Sequence, residues 1–153
     1  MENYDTYDRR LLNELQRDAD RSVETLADLI GLSRNATWRR IKRLEDEGII
    51  KRRVALVDPD KLNLGLTVFI SVKTDRHDAK WANEFSQTVR SFPEILGAYR
   101  TSGDLDYLIH ARVSDVKAYD GLYRRLISKL DLKDVSASFV MEELHETTVL
   151  PVP

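Results

Sequence analysis

The chain has 153 residues, 42% of them apolar and 33% charged, which is enough for a packed core and for one domain or two small ones of the ~150-residue total typical of a domain. Its 24 Lys and Arg against 26 Asp and Glu leave a net charge of -2, so no general basicity argues for a nucleic-acid partner. The absence of cysteine excludes disulfides, thiolate metal sites and cysteine nucleophiles. No apolar run reaches the ~18 residues of a membrane span, and the start MENYDTYDRR is not a secretory signal, so a cytoplasmic protein is expected.

In chain order, the spacing of Tyr7, Leu11, Leu12 and Leu15 predicts a helix from about Tyr7 to Ala19, capped by Asp5 or Thr6. Ser22 caps a second helix carrying Val23, Leu26, Ala27 and Ile30, which stops at Gly31. Ser33 caps a third, Arg34 to about Glu47, which ends at Gly48. Two short helices joined by a tight turn containing glycine form a helix-turn-helix, here residues 1–50. The charge is segregated along this region. Residues 1–33 carry 4 basic and 8 acidic side chains, net -4. In residues 34–53, Arg34, Arg39, Arg40, Lys42, Arg43, Lys51, Arg52 and Arg53 face only Glu45, Asp46 and Glu47, net +5.

A helical projection with Ile41 at 0° puts Thr37 at about -40° and Leu44 at about -60°, the buried side. Arg39, Asn35, Arg43 and Lys42 fall at about 160°, 120°, 200° and 100°, on the opposite side. Arginine suits guanine and asparagine suits adenine in the major groove, and lysine and arginine suit phosphate. The predicted DNA-binding set is Ser33, Arg34, Asn35, Thr37, Arg39, Arg40, Lys42, Arg43, Lys51 and Arg52. Trp38, at about 60°, lies at the boundary between core and contact surface and is expected in the core. The stretch IIKRRVALV reads as a β-rich basic wing, residues 51–65 forming a wing and linker strand that ends at the Asp58-Pro59-Asp60 turn.

From residue 66 to 153 the periodicity changes. Leu66, Val68, Ile70 and Val72 alternate as a strand, and Trp81, Phe85, Val89 and Phe92 follow at helical spacing up to Pro93. Ile95 to Ser102 and Asp106 to Val113 read as strands about the Gly103-Asp104 turn. Asp115 caps a helix with Tyr119, Tyr123, Leu126 and Leu130, and Val135 to Met141 closes as a strand. The order βαββαβ predicts an α+β protein, a winged helix-turn-helix followed by a ferredoxin-like domain with one face of its sheet open. The alternating apolar residues of the first and last strands predict that this face is covered by a second copy.

The segments LSRNATWRRIKRLEDEGII, VALVDPDKLNLGL, SGDLDYL and SFVMEE, in this order from about Tyr7 to Pro151, resemble the Lrp/AsnC family of feast/famine transcriptional regulators. LGLTVFISVKT, PEILGAYR and ETTVLPVP are similar to its cysteine-responsive branch. The resemblance implies a regulator of double-stranded operator DNA, a homodimer assembling to a tetramer or octamer, and a small amino acid, cysteine first, as effector. Many members carry Pro-Thr-Pro where this chain has Arg34-Asn35-Ala36, so the resemblance carries no operator sequence.

At the turn Ser102 to Tyr107, Gly103 exposes a backbone N–H for a carboxylate, and Asp104 or Asp106 offers an acceptor for an ammonium. From the turn alone an ordinary Asp-Gly hairpin is the simpler account; the family resemblance favours an effector site of Gly103, Asp104, Leu105 and Asp106, with Tyr99, Ser136 and Ser138 on neighbouring strands as pocket wall. No catalytic residue, metal ligand or cofactor is expected: His77, His110 and His145 stand 33 and 35 residues apart, and Glu142-Glu143 with Asp104 and Asp106 reads as a solvated strand end. The rival reading is a ferredoxin-like small-molecule-binding protein or enzyme without a DNA role. Such a protein has no reason to gather Arg39, Lys42 and Arg43 opposite a helix-turn-helix core.

Overall fold

Three local hydrogen-bond patterns start the first three helices. The Asp5 carboxylate accepts from the Tyr7 and Asp8 amides at 2.9 and 3.0 Å, and Asp8 returns the favour by accepting from the Asp5 amide at 3.2 Å. This reciprocal box opens α1, Thr6–Arg17. Ser22 accepts from the Thr25 amide to open α2, Val23–Ile30, and Ser33 accepts from the Ala36 amide to open α3, Arg34–Asp46. Gly31 ends α2 in the left-handed region at φ 76°, which turns the chain sharply into α3. Leu11, Leu15, Leu26, Ile30, Ile41 and Leu44 bury their side chains together and close the three helices into one unit. In this computed structural model, which describes residues 4–153, α1 ends at Arg17 rather than Ala19.

The chain divides into two compact units, residues 1–56 with 144–153, and residues 57–143. By its contacts the final segment groups with the helices. The Leu150 amide donates to Gln16 Oε1 at 2.7 Å, and Gln16 Nε2 donates back to the Leu150 carbonyl at 3.2 Å. Residues 51–57 form no strand, contrary to the wing expectation. Their composition is strand-like, but the ladder that defines a strand needs a second backbone, and none of the described residues supplies one.

In the second unit, β1 (Leu66–Lys73), α4 (Ala79–Arg90), β2 (Ile95–Arg100), β3 (Tyr107–Val113), α5 (Val116–Lys129) and β4 (Asp134–Phe139) give the expected βαββαβ order. Asp78 and Asp115 cap the two helices through the Trp81 and Ala118 amides. The antiparallel sheet runs β2-β3-β1-β4. Both helices pack on one face, where Val68, Ile70, Val72, Ile109, Ala111, Trp81, Phe85, Leu122 and Leu126 are buried together.

That packing corrects the expectation for the sheet's second face. The alternating stripe of β1 points at the helices of its own chain, as does that of β4, through Val135, Ala137 and Phe139. The register leaves Thr67, Phe69 and Ser71 of β1, Leu108 and His110 of β3, and Ser136 and Ser138 of β4 on the opposite face. There the Phe69 and His110 rings stack with centroids 5.1 Å apart, and Phe69 stays partly exposed.

Two glycines are expected to respond in opposite directions to alanine. Gly31→Ala places a Cβ at φ 76° and lowers stability by about 1 kcal/mol. Gly121→Ala, within α5 and facing open space, raises it by about 0.5–1 kcal/mol. Denaturant midpoints of the two variants at one protein concentration test both signs.

Candidate nucleic-acid interface and effector turn

The positions of α3 separate into three sets. Thr37, Ile41 and Leu44 are buried, and the Thr37 hydroxyl donates to the Ser33 carbonyl at 3.1 Å. Thr37 therefore serves the core and the helix start rather than an outer surface. Ser33, Arg34, Asn35, Trp38, Arg39 and Lys42 are exposed. Arg40 and Arg43 form the third set, turned toward α1.

Asp8 makes that turn. Its side chain is fully buried, and its two oxygens are taken by two arginines: Arg40 Nη1 at 2.8 Å and Arg43 Nη2 at 2.5 Å. Arg40 Nη2 also meets Asp5 at 2.8 Å, and its guanidinium lies 5.5 Å from the centre of the Tyr7 ring. The hydrogen bond to Asp8 is the main reason the Arg40 pKa is raised further, and the Asp8 amide is the main reason the exposed Asp5 carboxyl is held below its usual range. Both arginines belong to the DNA-binding set expected from the sequence, and the structure turns them to Asp8 instead. The signal was present, since Asp8, Leu11 and Leu15 recur on one face of α1, and a carboxylate on an apolar face requires a partner.

The remaining cations are partnered unequally. Arg34 pairs with Glu24, Lys42 with Asp46 at 2.8 Å and Arg53 with Glu45 at 3.0 Å. Arg39, Lys51 and Arg52 have no ion-pair partner among the described residues. Trp38 is 56% exposed, against the expectation of a core position. Leu11, Ile30 and Leu44 already close the three-helix core to 1% exposure or less, so an indole at the edge of the buried arc has no space to enter.

At the other candidate site, residues 101–106 join β2 to β3. Gly103 stands at φ 112° with open space around it, and Ser102 and Asp104 are exposed beside it. Leu105 is half-buried, its carbonyl accepting from the Thr101 hydroxyl at 2.7 Å. Asp106 is occupied within the fold. Its amide donates to the Val72 carbonyl at 3.1 Å, its Oδ2 accepts from the buried Thr74 amide at 2.9 Å, and its Oδ1 lies 3.9 Å from His77 Nδ1. The wall residues are not neighbours as expected. Tyr99 on β2 and Ser136 and Ser138 on β4 lie at opposite edges of the sheet, three strand spacings or roughly 14 Å apart. Among the described residues no three His, Cys, Asp or Glu side chains gather where they can hold a metal ion, and no helix is long and apolar enough to cross a membrane.

A capped helix-turn-helix with an exposed basic helix, followed by a ferredoxin-like sheet, defines a DNA-binding regulator with a ligand-binding domain. The comparisons agree. Residues 4–51 match a family described as winged helix-turn-helix DNA-binding, and residues 67–150 match the Lrp/AsnC ligand binding domain. The chain belongs to the Lrp/AsnC family of transcriptional regulators, which are not enzymes. The glutamate uptake regulatory protein of Zymomonas mobilis is 46% identical over 97% of this chain and 91% of its own length. An AsnC family transcriptional regulator from Agrobacterium tumefaciens superposes with a TM-score of 0.94 at 47% identity, covering 97% of both chains. A Neisseria meningitidis regulator solved as an L-Met complex superposes at 0.93 with 34% identity, also over 97% of both.

Removing the Asp8 carboxylate leaves two arginines turned toward an apolar contact. Asp8→Ala is expected to cost about 2–4 kcal/mol, less than a fully enclosed pair because Arg40 and Arg43 keep part of their heads in solvent. Thermal unfolding of the full chain measures it.

Proposed function

We propose that this chain is a sequence-specific operator-binding regulator in which α3 enters the major groove, with Asn35 and Arg39 reading bases and Ser33, Arg34, Lys42, Lys51 and Arg52 meeting phosphates. The observation that carries this reading is the state of Arg39: exposed, without an ion-pair partner among the described residues, and one helical turn from exposed Asn35. A guanidinium left in water on a helix whose other arginines are paired is available for a guanine edge or a phosphate. Lys51 and Arg52, likewise without ion-pair partners among the described residues and beyond the helix end, suit the flanking backbone. Arg40 and Arg43 hold the helix at its angle through Asp8.

The effector in this reading is a small free amino acid, recognised at the exposed residues Gly103 and Asp104, whose N–H and carboxylate would complement the two ends of a zwitterion. Cysteine is the first candidate on the branch resemblance, and methionine the second because the neisserial relative was solved with it. Asp106 shapes the turn from behind. The protein acts in the cytoplasm as a homodimer that assembles to a tetramer or octamer, the open sheet face around Phe69 and His110 meeting its counterpart. Binding regulates by favouring one assembly or DNA-bound state over another.

Three outcomes follow from this reading. With a duplex selected from random-sequence DNA, Asn35→Ala lowers the discrimination against unselected DNA by about 1–3 kcal/mol, whereas Lys51→Ala weakens both duplexes alike and reduces the salt slope by about one. Equilibrium binding over a salt series separates the two. Calorimetry with cysteine and methionine gives binding to the wild type that Asp104→Ala weakens; Asp106→Ala is unsuited to this test because it strips the Thr74 amide of its acceptor. In light scattering, Phe69→Asp shifts the protein toward monomer, since an ionised carboxylate in place of the ring must lose its water when two such faces meet.

A further inference from the structure

Resting on the assignment of α3 as the DNA-reading helix, we infer that Trp38 is itself a specificity determinant, its indole lying against the C5-methyl of a thymine in the operator. The chain has two tryptophans, and they are treated oppositely. Trp81 is 1% exposed, stacks on Phe85 at 5.2 Å, and donates its indole N–H to the Asp131 carbonyl at 3.2 Å. Trp38 is 56% exposed, and neither an aromatic contact nor a hydrogen bond engages it among the described residues. Leaving more than half of so large an apolar side chain in water forgoes stabilisation that its burial would supply, and exposed aromatic residues are typical anchors of an interface.

Its position selects the occupant. Trp38 is the fifth residue of α3, within the N-terminal half that meets base edges in a helix-turn-helix. It lies three residues after Asn35 and next to Arg39, and Lys42 follows one turn on, so the indole is bordered by polar and basic groups suited to DNA. In the major groove the apolar feature within reach of such a side chain is the thymine methyl, and aromatic or aliphatic contact with it is a recognised mode of base discrimination.

The test uses the full-length protein and a duplex selected from random-sequence DNA, with each thymine replaced in turn by deoxyuridine, which removes the methyl alone. At one thymine per half-site the replacement is expected to weaken wild-type binding about three- to fivefold, the value of one buried methyl group. The same replacement should be silent in Trp38→Ala and partly retained in Trp38→Phe. Thermal unfolding of Trp38→Ala should match the wild type, because the side chain is outside the core. Arg39→Ala is the control for the underlying assignment. If Arg39→Ala loses discrimination while Trp38→Ala keeps both its affinity and its deoxyuridine response, the Trp38 inference is overturned and the reading helix stands. If Trp38→Ala weakens selected and unselected duplexes equally with no deoxyuridine coupling, the indole touches backbone and the thymine contact is overturned. If Arg39→Ala and Trp38→Ala both discriminate as wild type, α3 is not the reading helix.

Discussion

The buried carboxylate of Asp8 is the point on which the DNA-binding unit turns. An ionised carboxylate cannot be taken from water without partners, and Asp8 is supplied with two guanidinium groups from successive turns of α3. The same residue closes the capping box with Asp5, and Asp5 in turn reaches Arg40. One acidic cluster at the start of α1 therefore fixes both where that helix begins and how the recognition helix rotates against it. Apolar contacts between Leu11, Ile30, Ile41 and Leu44 hold the helices together, but such contacts tolerate sliding. Directional charge-assisted hydrogen bonds do not.

This arrangement divides the basic residues by task. Arg40 is held by Asp8 and Asp5, Arg43 by Asp8 with Glu47 at 3.9 Å, and Arg34 and Lys42 lie beside Glu24 and Asp46, so among the described residues Arg39 is the cation of α3 without an ion-pair partner. A helix with every arginine free would bind any duplex strongly, because phosphate attraction is independent of sequence. In the proposed reading, pairing Arg40 and Arg43 with Asp8 lowers that background and leaves discrimination to a few side chains. In the sheet unit the same economy appears at Asp106, which looks from sequence like a ligand for an ammonium but holds the Thr74 amide, leaving Asp104 and Gly103 outside.

The parts legible in the sequence were those governed by neighbours within about four residues. Ser22, Ser33 and Asp115 cap helices by reaching three residues along the chain, and Gly31 turns it locally, so all four were readable. The order βαββαβ followed from periodicity for the same reason. What escaped depended on separations of 32 and 35 residues, as between Asp8 and its two arginines. The stripe of Val68, Ile70 and Val72 announced an apolar face without saying which layer would cover it, and its own helices do. Tyr99 and Ser136 were misplaced because order along the chain is not order across the sheet. Trp38 sat at a boundary angle that periodicity cannot resolve, and packing resolved it outward.

The central claim is that Asp8 assigns Arg40 to the fold and leaves Arg39 to DNA. The direct measurement pairs two quantities for Arg39→Ala and Arg40→Ala: the unfolding midpoint, and the ratio of affinities for a selected and an unselected duplex well below that midpoint. The account predicts that Arg39→Ala lowers the ratio about tenfold or more with its midpoint unchanged, while Arg40→Ala lowers the midpoint and largely keeps the ratio. An Arg40→Ala protein that is as stable as the wild type and has lost discrimination, beside an Arg39→Ala protein that discriminates normally, would contradict it.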